Sequence, residues 1–324
     1  MYNNIHLSLG PFQGITDMVF RNTFKRHFGG IDKYYTPFFT GIRTDHSKSL
    51  RTDEISPDCN DIDTLTPQIL SNDAEEIVRF ANQCKEMGYK EVNLNMGCPF
   101  PRVANKKHGC GLMPYPDLVN QILNTVFANT DIKFSIKCRL GHYSPDEIIP
   151  MIEVFNNYPL CELIIHPRTG KQMYTGEADV ERFKALIPSI KAPLVYNGDI
   201  VSVESFNRIK DMVRPINSFM LGRGILANPF LAEEISETDT GDRRQRLYDF
   251  VRELYNARLQ QAGGSPKVIG RMKELWSYLM HSFAEPQQVW RKIKKLNGLD
   301  EYEDAVRNIF ENEELTIKIK RFDG

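Results

Sequence analysis

Cys98 is the residue in this chain best placed to do chemistry. It stands in Asn93-Leu94-Asn95-Met96-Gly97-Cys98-Pro99. Residues 91–95 alternate polar and apolar side chains as a short strand does. Gly97 and Pro99 then break that pattern on either side of the thiol. The loop that follows carries Arg102, Lys106, Lys107 and His108. A thiol at the carboxyl lip of a strand, on a glycine-permitted bend among cations, is expected to be exposed and reactive. The alternative for a lone cysteine is a buried small hydrophobe. Six other apolar segments also end in polar or conformationally special residues. These are Pro11-Phe12-Gln13-Gly14, Gln68, Lys137 with Arg139, His166 with Arg168, Asn197-Gly198-Asp199, and Gly222-Arg223-Gly224. Any one has an ordinary explanation, such as a snorkelling lysine or a hydrogen-bonded structural histidine. Seven strand ends together point to one site.

Asn197-Gly198-Asp199 and Gly222-Arg223-Gly224 read as a phosphate cradle. Glycine lets backbone N–H groups approach a phosphate closely, and Arg223 adds charge-assisted hydrogen bonds. Lys137 and Gln68 suit a flat heterocycle, with the lysine opposite a pyrimidine edge that gains negative charge on reduction. With Pro11, Phe12 and Gln13 packed beneath the ring, this describes a flavin mononucleotide (FMN) pocket.

The elements that must hold these residues alternate in type. Strands are expected near residues 7–9, 32–40, 65–70, 91–96, 133–140, 160–166, 193–197 and 218–221. Helices are expected at 18–28, 71–87, 115–128, 145–157, 179–190 and 202–213. Residues 41–64 lack periodicity and suggest a long functional or mobile loop. Eight βα units over roughly 230 residues point to a (β/α)8 TIM barrel, whose active residues gather at the strand carboxyl ends. A doubly wound open sheet is the alternative; the phosphate signals of the last two units favour the barrel. From residue 241 onward only helical periods remain, at 243–261, 267–283, 286–296 and 301–312. The chain thus divides into a catalytic barrel, 1–240, and an all-helical domain, 241–324.

The composition, 41% apolar and 26% charged in 324 residues, is that of a globular chain. The formal net charge of -1 gives no overall signature for nucleic acid. Residues 241–299, however, carry 12 Lys/Arg against 5 Asp/Glu, which suits either a solvated face or an anionic partner. Within that region Trp276 is expected in the core. The cysteines at 59, 84, 98, 110, 138 and 161 form no C-x-x-C pair and no zinc spacing, so free thiols in a reducing compartment and no metal are expected. Cys138 and Cys161 are expected in the core. No apolar run is long enough for a membrane span. The amino terminus lacks a signal pattern, so a cytoplasmic location is the expectation.

The chain resembles the tRNA-dihydrouridine synthases. The resemblance rests on Gly14-Ile15-Thr16-Asp17-Met18-Val19-Phe20-Arg21, Asn95-Met96-Gly97-Cys98-Pro99, Gly109-Cys110-Gly111-Leu112-Met113 and Lys137-Cys138-Arg139. It continues through His166-Pro167-Arg168-Thr169-Gly170-Lys171-Gln172, Tyr174-Thr175-Gly176-Glu177-Ala178-Asp179, Asn197-Gly198-Asp199-Ile200 and Gly222-Arg223-Gly224. These pieces span the barrel in the family's order. The resemblance implies FMN, NADPH or NADH as reductant, and reduction of the C5–C6 bond of specific tRNA uridines. It assigns Cys98 as proton donor and places Lys137, His166, Asn197 and Arg223 at the flavin. Asn95 and Arg139 would hold the uracil, and Arg271 and Lys273 on a basic helix would meet RNA phosphates. The target base must leave its stack to be reached. Two departures stand out: Gly10-Pro11-Phe12 where the family usually has Ala-Pro-Met, and Arg102 where it often has Lys. The competing readings are an FMN enzyme reducing a free pyrimidine, of dihydroorotate or dihydropyrimidine dehydrogenase type, and a non-catalytic FMN-barrel RNA-binding protein. A monomer is expected. Which uridine is reduced is not legible from the residues.

Overall fold

Val92, Leu94 and Met96 are fully buried, and so are Asn93 and, very nearly, Asn95 between them. A strand buries both its faces when helices cover one side and a filled barrel lies on the other. The computed structural model describes residues 5–42, 52–238 and 241–316. Its strands are β1 His6–Leu9, β2 Lys33–Tyr35, β3 Leu65–Thr66, β4 Gln68–Ile69 and β5 Glu91–Met96, then β6 Lys133–Gly141, β7 Glu162–Thr169, β8 Leu194–Tyr196 and β9 Ser218–Leu221. All pair in parallel, in the order β3-β2-β1-β9-β8-β7-β6-β5-β4.

β3 and β4 are two halves of one strand, split at Pro67. Proline has no N–H for the ladder, yet the Pro67 carbonyl still accepts from Asn93 N–H at 2.9 Å. The first half pairs with β2 and the second with β5, so the sheet closes on itself as a (β/α)8 barrel rather than an open doubly wound sheet. Closure brings seven expected strand ends to one rim.

Three expectations about elements need correction. The strand expected over 32–40 stops at Tyr35, because Pro37 interrupts the ladder; pairing resumes only as a bridge between Phe39 and Ile69. The described part of 41–64 contains a helix, Thr52–Ile55. Its Glu54 is buried against Arg21 and accepts Met18 N–H, which anchors the segment; residues 43–51 of the expected loop lie outside the described residues. The loop after Cys98 is not irregular either, since Pro101–Ala104 is helical and Gly109–Leu112 is a 3-10 turn.

Beyond β9 come two unanticipated short helices, Arg223–Ala227 and Leu231–Ile235. Four more follow, Arg243–Gln261, Val268–Leu279, Pro286–Ile293 and Leu299–Asn312. The first docks on the barrel through Phe250, whose ring meets Phe20, Phe24 and Phe28 at centroid distances of 5.8, 6.1 and 5.1 Å. A single apolar core runs from the barrel into these helices. Trp276 is fully buried, as expected, with its indole N–H on the Tyr302 hydroxyl at 3.0 Å. Cys138 is buried too, whereas Cys161 is only partly so.

Much of the basic excess of this region is consumed internally. Arg246 pairs with Glu233, Arg243 with Glu234, and Lys292 with Glu313. Buried Arg258 reaches Asp17 at 3.3 Å and the Ile15 carbonyl at 2.7 Å. Asp17 also caps the helix Met18–His27 through Phe20 N–H. No helix among the described residues is long and apolar enough to cross a membrane.

Candidate active site

The strand carboxyl ends surround a cleft of about 370 Å³, within the roughly 300–1,000 Å³ of small-molecule pockets. Pro11, Phe12, Gln13, Gln68, Asn95, Cys98, Lys137, Arg139, His166, Asn197, Gly198, Asp199, Gly222 and Arg223 all line it. Arg271 and Lys273 do not. Arg271 is instead bonded to Asp17 at 3.0 Å with about half its side chain exposed, and Lys273 lies 3.4 Å from the Asn297 amide.

Cys98 sits at the lip of β5, but it is only 8% exposed rather than open to solvent. Burial pushes its thiol up in pKa, against the opposing pull of the Phe100 N–H and of Arg139, Arg102 and Lys137. The thiol therefore stays protonated at neutral pH, with a proton to give and little nucleophilic thiolate. The bend needs no left-handed glycine at residue 97. It is held by Asn95, whose Oδ1 accepts the N–H groups of Gly97 at 3.0 Å and Cys98 at 2.9 Å.

Asn95 is the top of a chain of hydrogen bonds through the barrel interior. Its Nδ2 donates to Gln68 Oε1, Gln68 Nε2 donates to Asn93 Oδ1, and Asn93 Nδ2 donates to Ser135 Oγ, each at 2.8 Å. Ser135 then donates to Glu91. The register makes this possible, because Gln68, Asn93 and Ser135 are directly paired residues on β4, β5 and β6. Asn95 and Gln68 are thus engaged with the fold as well as facing the cleft.

Arg139 is similarly engaged. It donates to the carbonyls of Gly97, Thr169 and Met173 at 3.0, 2.8 and 2.6 Å, so most of its fork ties the loop after β5 to the end of β7 and the loop that follows it. Asp199 accepts from Arg168 at 2.7 Å, from Ala178 N–H at 2.8 Å and from Arg223 at 3.2 Å. It orients two arginines at the mouth. Tyr174 lies between Arg139 and Arg223, 5.3 and 4.7 Å from their guanidinium carbons.

His166 is buried, and its pKa is held well below 6.5 by that burial and by Arg139, Lys137, Arg168 and Arg223. Its Nε2 lies 3.0 Å from Arg168 Nη1. A guanidinium only donates, so Nε2 accepts, and Nδ1–H is left as a donor. Lys137 has no hydrogen-bonding or ionic partner among the described residues. Burial and Arg139 bring its pKa from 10.5 to about 8. Four cations thus face the cleft against Asp199 and, on the rim, Glu274.

Gly224 leaves no room for a side chain, because a Cβ there would fall on the Ile200 carbonyl. Gly222 is different: a Cβ would meet only the Phe12 ring and the Asn197 amide, at 3.6 Å or more. Sequence reasoning missed Glu274, Ser277 and Tyr278, which the helix Val268–Leu279 brings to the same cleft. Tyr278 meets Phe12 edge-on at 5.9 Å. Their only sequence signal is an amphipathic helix with polar residues on its non-core face. Cys110, whose N–H donates to the Cys98 carbonyl at 3.1 Å, pairs its own sulfur with His142 Nδ1 at 3.2 Å. No group of three His, Cys, Asp or Glu residues is placed to hold a metal among the described residues.

Comparison with known proteins agrees with this geometry. A family model described as "Dihydrouridine synthase (Dus)" matches residues 8–321. The chain is 28% identical over 313 residues to a tRNA-dihydrouridine(16) synthase of Neisseria meningitidis serogroup B, covering 93% of this chain and 92% of the relative. It is 30% identical over 236 residues to tRNA-dihydrouridine synthase B of Pasteurella multocida, covering 72% and 70%. Among solved structures, the histamine dehydrogenase of Rhizobium sp. 4-9 superposes with a TM-score of 0.55 at 12% identity, over 83% of this chain and 49% of that one. That likeness speaks to the barrel fold alone. With the family model matching nearly the whole length and the strand ends assembled into one cationic cleft around a protonated thiol, this chain belongs to the dihydrouridine synthase family.

Proposed function

We propose that this protein is a tRNA-dihydrouridine synthase of the cytoplasm, acting as a single chain, that uses FMN and NADPH or NADH to reduce the C5–C6 bond of uridines in tRNA. The observation that carries the reading is the pairing of Cys98 and Lys137 in one cleft: a buried, protonated thiol with an ammonium that has no acidic partner among the described residues. The donor set fits a flavin phosphate. Arg223 and the open cradle at Gly222 suit that anion, while the unpaired Lys137 ammonium and the neutral Nδ1–H of His166 suit the polar edge of the ring.

A flavin bound there supplies hydride to the pyrimidine. Lys137 and His166 would hold the flavin's polar edge, Arg223 with Gly198 and Gly222 would hold its phosphate, and Pro11, Phe12 and Gln13 would support its ring. Cys98 delivers the proton to C5 of the base. Asn95 acts chiefly by presenting Cys98, since its carbonyl oxygen is occupied by the two loop N–H groups. Arg139, held by three carbonyls, fixes the loops around the base and lends its charge. Arg271 and Lys273 remain candidates for phosphate contact from the half-exposed face of their helix.

The test is to map dihydrouridine in tRNA from cells lacking the protein and from cells supplied with it again. Loss of specific dihydrouridines that returns with the protein supports the reading. An unchanged pattern, with reduction of a free pyrimidine by the purified enzyme, replaces it with the dehydrogenase alternative.

A further inference from the structure

The large apolar side chains exposed among the described residues are Phe100, Tyr115, Tyr143 and Ile149, at 48, 40, 63 and 48%. Single exposed apolar residues are common on any surface. These four, however, all follow the carboxyl ends of β5 and β6, two of the strands whose ends surround the cleft. Phe100 stands two residues beyond Cys98 and forms part of the cleft wall. The segments carrying Tyr115 and Tyr143 are joined through the Cys110–His142 contact, and the His142 ring lies 4.2 Å from the Tyr143 ring.

Each tyrosine carries a cation. Lys107 Nζ lies 4.2 Å from the centre of the Tyr115 ring, and Lys171 Nζ lies 5.3 Å from that of Tyr143. With Arg102, these cations have no carboxylate partner among the described residues. From residue 92 to residue 116 the chain has three basic residues and no acidic one. The nearest carboxylate to Tyr143, that of Glu147, is taken up by the N–H groups of His142, Tyr143 and Ser144. The helix Val268–Leu279 lines the same cleft as Phe100, through Glu274, Ser277 and Tyr278.

We infer that this rim is a second RNA-binding surface, on which unpaired nucleobases flanking the target uridine stack while Arg102, Lys107 and Lys171 meet their phosphates. Aromatic faces interleaved with unpaired cations fit single-stranded nucleic acid, because every base has a face to stack and every linkage has a charge. A purely apolar partner would leave the three cations buried and unbalanced. The inference rests on the proposed action on tRNA and adds where the RNA is gripped.

The test uses the full-length, flavin-loaded protein and an unmodified tRNA transcript. Tyr143→Ala and Tyr115→Ala should each weaken tRNA binding roughly five- to 150-fold, the range for loss of one stacked base. Tyr143→Phe should bind as the parent does. Lys171→Ala should lower the slope of log affinity against log salt by about 0.7–0.9. Flavin content and melting temperature should not change. Parent-like binding and salt slope in the alanine variants would overturn the rim surface alone. So would an altered oligomeric state without altered tRNA binding, which would give the face to a second copy. If the parent itself bound no tRNA, the proposed function would fall together with it.

Discussion

Lys137 ties function to a measurable defect in stability. Its ammonium has no partner among the described residues, and burial with Arg139 beside it lowers its pKa from 10.5 to about 8. Each tenfold change in proton affinity is worth about 1.4 kcal/mol. The charged lysine therefore destabilises the flavin-free fold by as much as about 3 kcal/mol at neutral pH. Solvent at the cleft mouth screens part of this, which leaves about 1–3 kcal/mol. Below pH 8 the lysine is protonated both folded and unfolded, and the full penalty applies. Between pH 8 and 10.5 the unfolded chain holds the proton that the folded one has lost, so the stability of the parent rises with pH in that window. Lys137→Met removes the charge and keeps the volume. Urea unfolding of flavin-free protein should show this variant more stable than the parent by about 1–3 kcal/mol at pH 7, and by less than half as much at pH 9.5. The same variant should hold flavin more weakly, because the cation facing its pyrimidine edge is gone. A flavin-free variant that is no more stable at pH 7, or whose advantage does not shrink with pH, would refute this account of the lysine.

Three further outcomes follow from other parts of the site. Cys98→Ala should keep the bound-flavin spectrum and lose dihydrouridine formation by roughly 10²–10⁴-fold, the usual contribution of a positioned acid; normal turnover would remove that role. Asn95→Ala leaves the N–H groups of Gly97 and Cys98 without their acceptor. It should cost about 2–6 kcal/mol in denaturant unfolding, from two orphaned donors, one buried and one partly buried, at about 1–3 each, and slow turnover without preventing tRNA binding. Asp17→Asn removes the partner of buried Arg258 and of Arg271. It should destabilise the fold by about 3–5 kcal/mol, with a gain in stability instead counting against the clamp between the first barrel helix and the helical region.

The strand ends were legible because each announces itself locally, as an apolar run followed by glycine, proline or an ionisable residue. The helix expected from residue 18 was legible for the same reason, since the carboxylate of Asp17 just before it accepts a first-turn N–H group. What could not be read depends on partners distant in the chain. Gln68 looks like a ligand-binding residue alone until the register of β4, β5 and β6 also sets it in one interior layer with Asn93 and Ser135. The basic character of residues 241–299 suits either a solvated face or an anionic partner, yet Arg246 and Arg258 meet Glu233 and Asp17, carboxylates from earlier in the chain. The exposure of Cys98 was misjudged because its cover comes from elsewhere, as Gly109 packs directly on its backbone and Cβ. The same continuity of the core explains why removing the helical region would not leave an intact barrel. Phe20, Phe24 and Phe28 would lose the ring of Phe250. Point substitutions are therefore the sounder probe of what those helices bind.

The central claim is that thiol and flavin act together on a uridine presented by RNA. The most direct measurement is to reduce the purified flavoprotein anaerobically and mix it with unmodified tRNA, following the flavin spectrum and the dihydrouridine formed. The account predicts reoxidation of the flavin matched one for one by new dihydrouridine, and little reaction with free uridine. A flavin that stays reduced with tRNA, or is reoxidised equally well by a free pyrimidine, would contradict it.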